Sequence, residues 1–243
     1  VFHSSAERFE GVPGLAFDYW IGDGLLRAFA EGRPLTSIAQ PRKGLGTGNK
    51  DLFLRLWWEV PFNHFCMNAK DAKEAQESRK RWFPHNKGGS FRKWYGNCEF
   101  VVDWSNDGEA IKSYRNASGQ LAARPQNQAF YFRECVSWSK ISSGQLAFRF
   151  KPSGDIFNEV APAFFADRDL MFKLEAFLNS SVCHEVAKAL SPTLDFQVGQ
   201  VASYPILSGV IETDITVPIV DQLTRIARVD WDSFETSWDF SAH

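Results

Sequence analysis

Between Ala129 and Phe165 the sequence breaks into short strand-like runs at close intervals, and this punctuation restricts the fold more than any other feature. The runs are Ala129–Ser139, Gln145–Pro152 and Asp155–Phe165. Between them lie Ser142-Ser143-Gly144 and Pro152-Ser153-Gly154, which suit tight turns. Parallel neighbours need crossovers of a dozen residues or more, so connections this short predict a three-stranded antiparallel block. Further strands are expected at Leu54–Val60 and Phe100–Trp104. Apolar spacing predicts helices at Ile21–Ala30, with Gly32 as a stop, and at Asp169–Leu178 and Ser181–Leu190. Ala69–Arg81 reads as an exposed, charged helix, with acids early and bases late as the helix dipole prefers. Asn106–Tyr114 reads as a turn running into a short helix, and 213–228 as a last helix interrupted near Pro218.

A chain of 243 residues with 44% hydrophobic and 23% charged residues can bury one sizeable core. Cys66, Cys98, Cys135 and Cys183 are widely spaced, without a C-x-x-C or a His/Cys pair at ligand spacing. They read as reduced thiols of a cytoplasmic protein rather than as a zinc site. No apolar run approaches the length of a membrane span. The chain opens on Val1 and reads as a fragment of something larger.

Net charge is only −2, but it is unevenly placed. Arg79, Lys80, Arg81, Lys87, Arg92 and Lys93 give a local +6 with no acid between them, interleaved with Trp82, Phe83, Phe91, Trp94 and Tyr95 and with the Gly88-Gly89 pair. Cations for phosphates, rings for stacking and glycines for close approach compose a nucleic-acid surface. A solvated basic loop over core aromatics has the same composition. The segment 209–243 carries seven acids and two arginines, a local −5. Upstream, Gly44 to Asp51 holds three glycines in eight residues, with Asn49 and Asp51 as helix caps. Its spacing is that of neither a P-loop nor a dinucleotide fingerprint, which leaves a tight turn or a phosphate-touching loop.

Catalytic signals are sparse. A glycine-rich cofactor loop after a strand, an [ND]-P-P-[YF] tetrapeptide and a G-x-S-x-G elbow are all absent. Asp103, Glu109 and Lys112 loosely suggest a nuclease triple, at an unusual spacing. The five histidines form no cluster.

Five blocks carry a resemblance: GLGTGNKDLFLRLWWEV (44–60), RWFPHNKGGSFRKWYGNCEFVVDWSNDGEAIK (81–112), VSWSKISSGQLAFRF (136–150), FLNSSVCHEVAKALSPTLDFQVGQVASYPI (177–206) and VDWDSFETSWDF (229–240). In this order they resemble the C-terminal part of the PglX family, the adenine-specific DNA methyltransferases of the BREX phage-defence system. Looser versions occur in methyltransferases fused to restriction enzymes. The stretch from Leu178 to Ile206 is also similar to the close of recognition domains in restriction specificity subunits. The resemblance implies a target recognition domain in residues 1–208, an acidic helical extension in 209–243, and a fold of α+β class: a mixed, mainly antiparallel sheet with packed helices. It implies no catalytic site or cofactor here; S-adenosyl-L-methionine and the catalytic motif belong to a methyltransferase domain N-terminal to this region. The implied partners are double-stranded DNA, that methyltransferase domain, and other defence-complex subunits or a phage inhibitor. On the chemistry of the side chains, Lys87, Arg92, Lys93 and Lys140 are expected on phosphates. Backbone N–H groups of Gly88, Gly89, Ser142 and Ser143 are expected as neutral donors. Asn49, Asn86 and Arg149 are candidates for base edges. The alternative is a protein-interaction module built on the aromatic surface and the acidic segment.

Overall fold

A computed structural model of the chain describes residues 22–142, 145–190 and 195–240. The first part runs α1 (Asp23–Glu31), β1 (Arg33–Pro34), a 3₁₀ turn (Leu35–Ser37), β2 (Gln40–Arg42) and β3 (Leu45–Gly46). Next come α2 (Lys50–Phe53), β4 (Leu54–Leu56), two 3₁₀ turns (Trp57–Glu59 and Phe62–His64) and α3 (Ala72–Glu77). They lead to β5 (Trp82–Asn86), β6 (Phe100–Asp103), α4 (Ser105–Ser113) and β7 (Arg124–Pro125). After a 3₁₀ turn (Gln128–Phe130) follow β8 (Cys135–Trp138), β9 (Phe148–Lys151), β10 (Ile156–Phe157) and β11 (Ala163–Phe165). The described chain ends with α5 (Arg168–Leu178), α6 (Ser181–Leu190), α7 (Val198–Ala202), β12 (Pro205–Ile206), α8 (Ser208–Glu212) and α9 (Thr216–Asp232).

Two four-stranded sheets dominate, making the fold α+β with mainly antiparallel pairing. One has the order β2-β11-β8-β9 and is antiparallel throughout; the other has the order β10-β5-β6-β4, with β10 and β5 its parallel pair. The predicted block of three antiparallel strands is thus present, with one change. The segment 155–165 splits, giving Ile156–Phe157 to β5 of the second sheet and Ala163–Phe165 to the first.

The alternation of side chains along β8 and β11 sets the layering. Val136, Trp138 and Phe164 point to one core, packed against Met171, Phe172, Leu174 and Leu178 of α5. Cys135, Ala163 and Phe165 point to a second core with Phe83, Val102, Tyr131 and Phe157. The first sheet is therefore buried on both faces, under helices on one side and against the second sheet on the other. Each large apolar side chain buried this way contributes roughly 1.5–3 kcal/mol. Asp167 caps α5 by accepting the Leu170 N–H at 3.0 Å, which fixes where that helix begins.

Two expectations change with the structure. Trp82–Asn86, read as part of a basic loop, is an inner strand with every residue buried. Pro84 fits there because β10 pairs only with His85 and Asn86, so at Pro84 the strand has a neighbour on one side, β6, and needs no N–H on the other. The last helix is not interrupted: Pro218 is the third residue of α9, inside the first turn, where a missing N–H leaves no helical bond unmade.

The loop from Lys87 to Glu99 lies along β9. Trp94 donates to the Phe148 carbonyl at 3.0 Å and accepts from Phe150 N–H at 2.9 Å. Beneath it Lys151 donates to the carbonyls of Gly96 (2.9 Å) and Asn97 (3.0 Å). Tyr95 is buried with Cys98 and Trp231, so α9 reaches back to cover the end of this loop. All four cysteines are free.

Candidate nucleic-acid interface

The basic stretch does not form one patch. Arg79, Lys80 and Arg81 precede β5, and Lys87, Arg92 and Lys93 follow it. Five buried residues at about 3.3 Å each place the two halves on the order of 16 Å apart.

In the downstream half most of the expected contact groups already have intramolecular partners. Arg92 pairs with Asp230 at 2.9 Å and lies over the Trp231 ring at 4.9 Å. Lys93 donates to the Asn179 carbonyl at 2.7 Å. The N–H of Gly88 points at Asn86 Oδ1 (3.4 Å), and that of Gly89 donates to Ser139 Oγ at 3.2 Å. Asn86 is fully buried, with Nδ2 donating to Ser137 Oγ at 2.6 Å. Arg149 is fully buried as well, donating to the Arg92 carbonyl (3.1 Å) and Ser139 Oγ (2.6 Å). Burial brings its guanidinium down to about 10. Neither Asn86 nor Arg149 reaches the surface; both support the loop from within. Lys140 faces Asp195 at 3.8 Å, and Ser142 Oγ donates to the Gln145 carbonyl at 2.9 Å. Ser143 lies outside the described residues. Asn49 caps α2 by accepting the Leu52 N–H at 3.1 Å, while its amide donates to Tyr114 Oη at 3.0 Å.

Lys87 stands apart. Its ammonium sits 4.1 Å from the centre of the Phe100 ring and has no acidic partner among the described residues. Burial lowers its pKa first, and the like charge of Lys50 lowers it further, against an opposing pull from Asp51. Lys50 and Lys87 share a groove of about 410 Å³ with Gly46, Gly48, Asn158 and an ion pair of Arg124 with Glu159 at 3.8 Å. An adjoining hollow of about 390 Å³ runs from the same two lysines past Arg55 to Phe100. The glycine-rich turn shapes the groove wall: Gly48 has φ +71°, and a Cβ there would lie 2.7 Å from the Ala122 carbonyl carbon. Two unpaired ammonium groups converging on one open groove repel each other, and an anion between them would relieve that repulsion.

Lys50 and Arg124 were not among the residues expected on DNA. The glycine turn beside Lys50 was a usable signal. Arg124 had none, because it enters only through the pairing of β7 with β3, which sets it opposite Gly46. Asp103, Glu109 and Lys112 do not assemble into a metal site: Asp103 pairs with Arg81 at 2.8 Å and Lys112 with Asp107 at 2.7 Å. Among the described residues no group of three His, Cys, Asp or Glu side chains is placed to hold a metal ion, and no helix is long and apolar enough to cross a membrane.

The chain matches no protein-family model. It is similar to the "Adenine-specific methyltransferase PglX" of Lacticaseibacillus casei (strain Zhang), 38% identical over 247 residues, which takes in 100% of this chain and 20% of that protein. It is also 31% identical over 237 residues to the "Adenine-specific methyltransferase BrxX" of Escherichia coli O9:H4 (strain HS), covering 96% of this chain and 18% of that protein. The chain is homologous to adenine-specific methyltransferases of the PglX/BrxX type. It spans about a fifth of the length of these relatives. The identity extends along nearly the whole chain, so the region holding the Lys50–Lys87 groove and the region of α9 both lie within the shared segment.

Proposed function

We propose that the chain is the duplex-DNA recognition module of a site-specific adenine methyltransferase of BREX phage defence, with catalysis carried by other parts of a longer polypeptide. Homology to PglX and BrxX supports the methyltransferase context. The observation that carries the DNA reading is the pair of unpartnered lysines, Lys50 and Lys87, converging on a groove walled by a glycine turn.

An exocyclic amine of adenine is not methylated inside a stacked duplex, so the base must be swung out while the flanking duplex is held. In this reading Lys50 and Lys87 hold phosphates and fix the register, joined by Arg124 once it exchanges Glu159, 3.8 Å away, for phosphate. Arg92 and Lys140 add positive potential, and contact DNA only on exchanging Asp230 and Asp195 for phosphate. S-adenosyl-L-methionine binds to the methyltransferase domain, a cytoplasmic partner of this module in the same polypeptide.

Binding of the chain to mixed-sequence duplex across a salt series tests this. The expected result is a steep loss of affinity with salt, and loss of binding in Lys50→Glu/Lys87→Glu with the thermal transition unchanged. Undiminished binding by that variant would overturn it.

A second reading, docking of another protein surface, is favoured by one observation. Ile219, Ile226 and Val229 of α9, with Ile215 just before it, form an exposed apolar stripe, each at least 50% exposed. Ile219→Glu/Val229→Glu should then impair assembly with the methyltransferase domain or other defence subunits and leave DNA binding intact.

A further inference from the structure

At the far end of β5 lies a larger cavity, about 610 Å³, between α3 and the start of α4. Arg79, Lys80 and Arg81 form one rim and Ser105, Asn106 and Asp107 the other. We infer that this cavity is a second phosphate site, occupied by the sugar–phosphate backbone of the same duplex that fills the Lys50–Lys87 groove. The inference rests on the DNA-recognition reading.

The acids near the cavity are already neutralised. Asp107 is paired with Lys112 at 2.7 Å, and Asp103 with Arg81 at 2.8 Å. Arg81 uses only Nε for that pair and is more than half exposed, so its Nη groups can still donate hydrogen bonds, although Asp103 offsets its charge. Lys80 donates to the Asn63 carbonyl, which fixes a positive charge at the rim without cancelling it. The exposed Arg79 side chain has no hydrogen-bond or ion-pair partner among the described residues. Its backbone is left-handed, φ +52°, an unfavourable conformation for a long side chain.

A path of cations joins the two sites. Arg55 lines the hollow beside Lys50 and Lys87, with Asp51 and Glu59 on the same lining, and it lies 5.9 Å from the centre of the Trp82 ring. Arg81 lies 5.1 Å from the same ring. The length of β5, roughly 16 Å, matches the separation of phosphates about three steps apart along one strand of a duplex with about 10 base pairs per turn, so one strand can touch both ends.

Phosphate-ethylation interference and salt dependence, measured on the full 243-residue chain with a fixed duplex, test the proposal. Wild type should show two clusters of blocked phosphates about three steps apart. Arg79→Gln should erase one cluster and Lys87→Gln the other, each lowering the steepness of the log–log salt plot by about 0.9. Lys188→Gln, on α6 and away from this path, should change neither. Inorganic phosphate at a few millimolar should not displace the duplex; a protective effect on wild type lost in Arg79→Gln, without any change in the DNA clusters, would make the cavity a free-phosphate site and overturn the inference. If Lys87→Gln behaves as expected while Arg79→Gln matches wild type, the cavity inference falls and the DNA reading stands. If no variant and no wild type binds DNA, both fall.

Discussion

Glu175 and His85 are buried titratable groups whose protonation shapes the acid–base behaviour of the fold in opposite senses. Glu175, on α5, is fully buried and neither carboxyl oxygen has a hydrogen-bond partner among the described residues. Burial raises its pKa well above the ordinary 4.5, against a smaller opposing effect of the Phe150 amide and Arg149. The unfolded chain therefore loses this proton first as pH rises, so stability falls from about pH 4.5 upward until the folded group also ionises. His85 behaves in the opposite sense. Burial holds its imidazole near 3 instead of 6.5, with Asn158 Nδ2 2.9 Å from Nε2. Its contribution is complete above pH 6.5 and is lost as pH falls toward 3, at most roughly 5 kcal/mol from a shift of this size. Urea unfolding of Glu175→Gln should show it gaining on wild type between pH 5 and pH 8, and His85→Gln should flatten the acid limb below pH 6.5. In the groove, Gly48→Ala places a Cβ against Ala122 at a left-handed position and should lower both the unfolding midpoint and DNA affinity. Single letters could not separate inside from outside here. Asn86 and Arg149 look like contact residues, yet neighbours 51 and 57 positions away, Ser137 and the Arg92 carbonyl, draw them into the interior.

Elements were more legible than residues. The helices α5 and α6 and the antiparallel block follow directly from local apolar spacing and turn composition, both short-range signals. β5 was missed because its residues, WFPHN, contain a proline and sit between charge clusters; only the staggered pairing with β6 and β10 makes a strand there favourable. That strand is also why the candidate site was only half visible. It divides the basic run, and the groove is completed by β3, β7 and α2, elements the run does not touch. For α9, the decisive contact is Trp231, buried at 4% exposure in the cluster of Tyr95 and Cys98. Trp231→Ala should cost about 3–5 kcal/mol in denaturant unfolding. Asp230→Asn leaves that packing intact and releases Arg92, so at low salt it should tighten DNA binding.

For the molecule as a whole, charge asymmetry matters more than the sum of −2. Lys50 and Lys87 stand at the second sheet and Arg79 at the start of its inner strand, while the segment from residue 209 on carries −5. Such a distribution orients an approaching polyanion. Stopped-flow association with duplex should slow steeply with added salt, whereas dissociation should respond far less.

The packing of α9 also governs when the protein can finish folding. Trp57 Nε1 donates to the Thr236 carbonyl at 2.9 Å, and Arg92 meets Asp230, contacts spanning 179 and 138 positions. During synthesis the segment that closes over Tyr95 and Cys98 emerges after both sheets. Until that segment has emerged, a nascent chain already carrying both sheets exposes Trp57 and Tyr95. Closure over such separations is slow relative to hairpin formation, and this interval is when the chain most needs protection from aggregation.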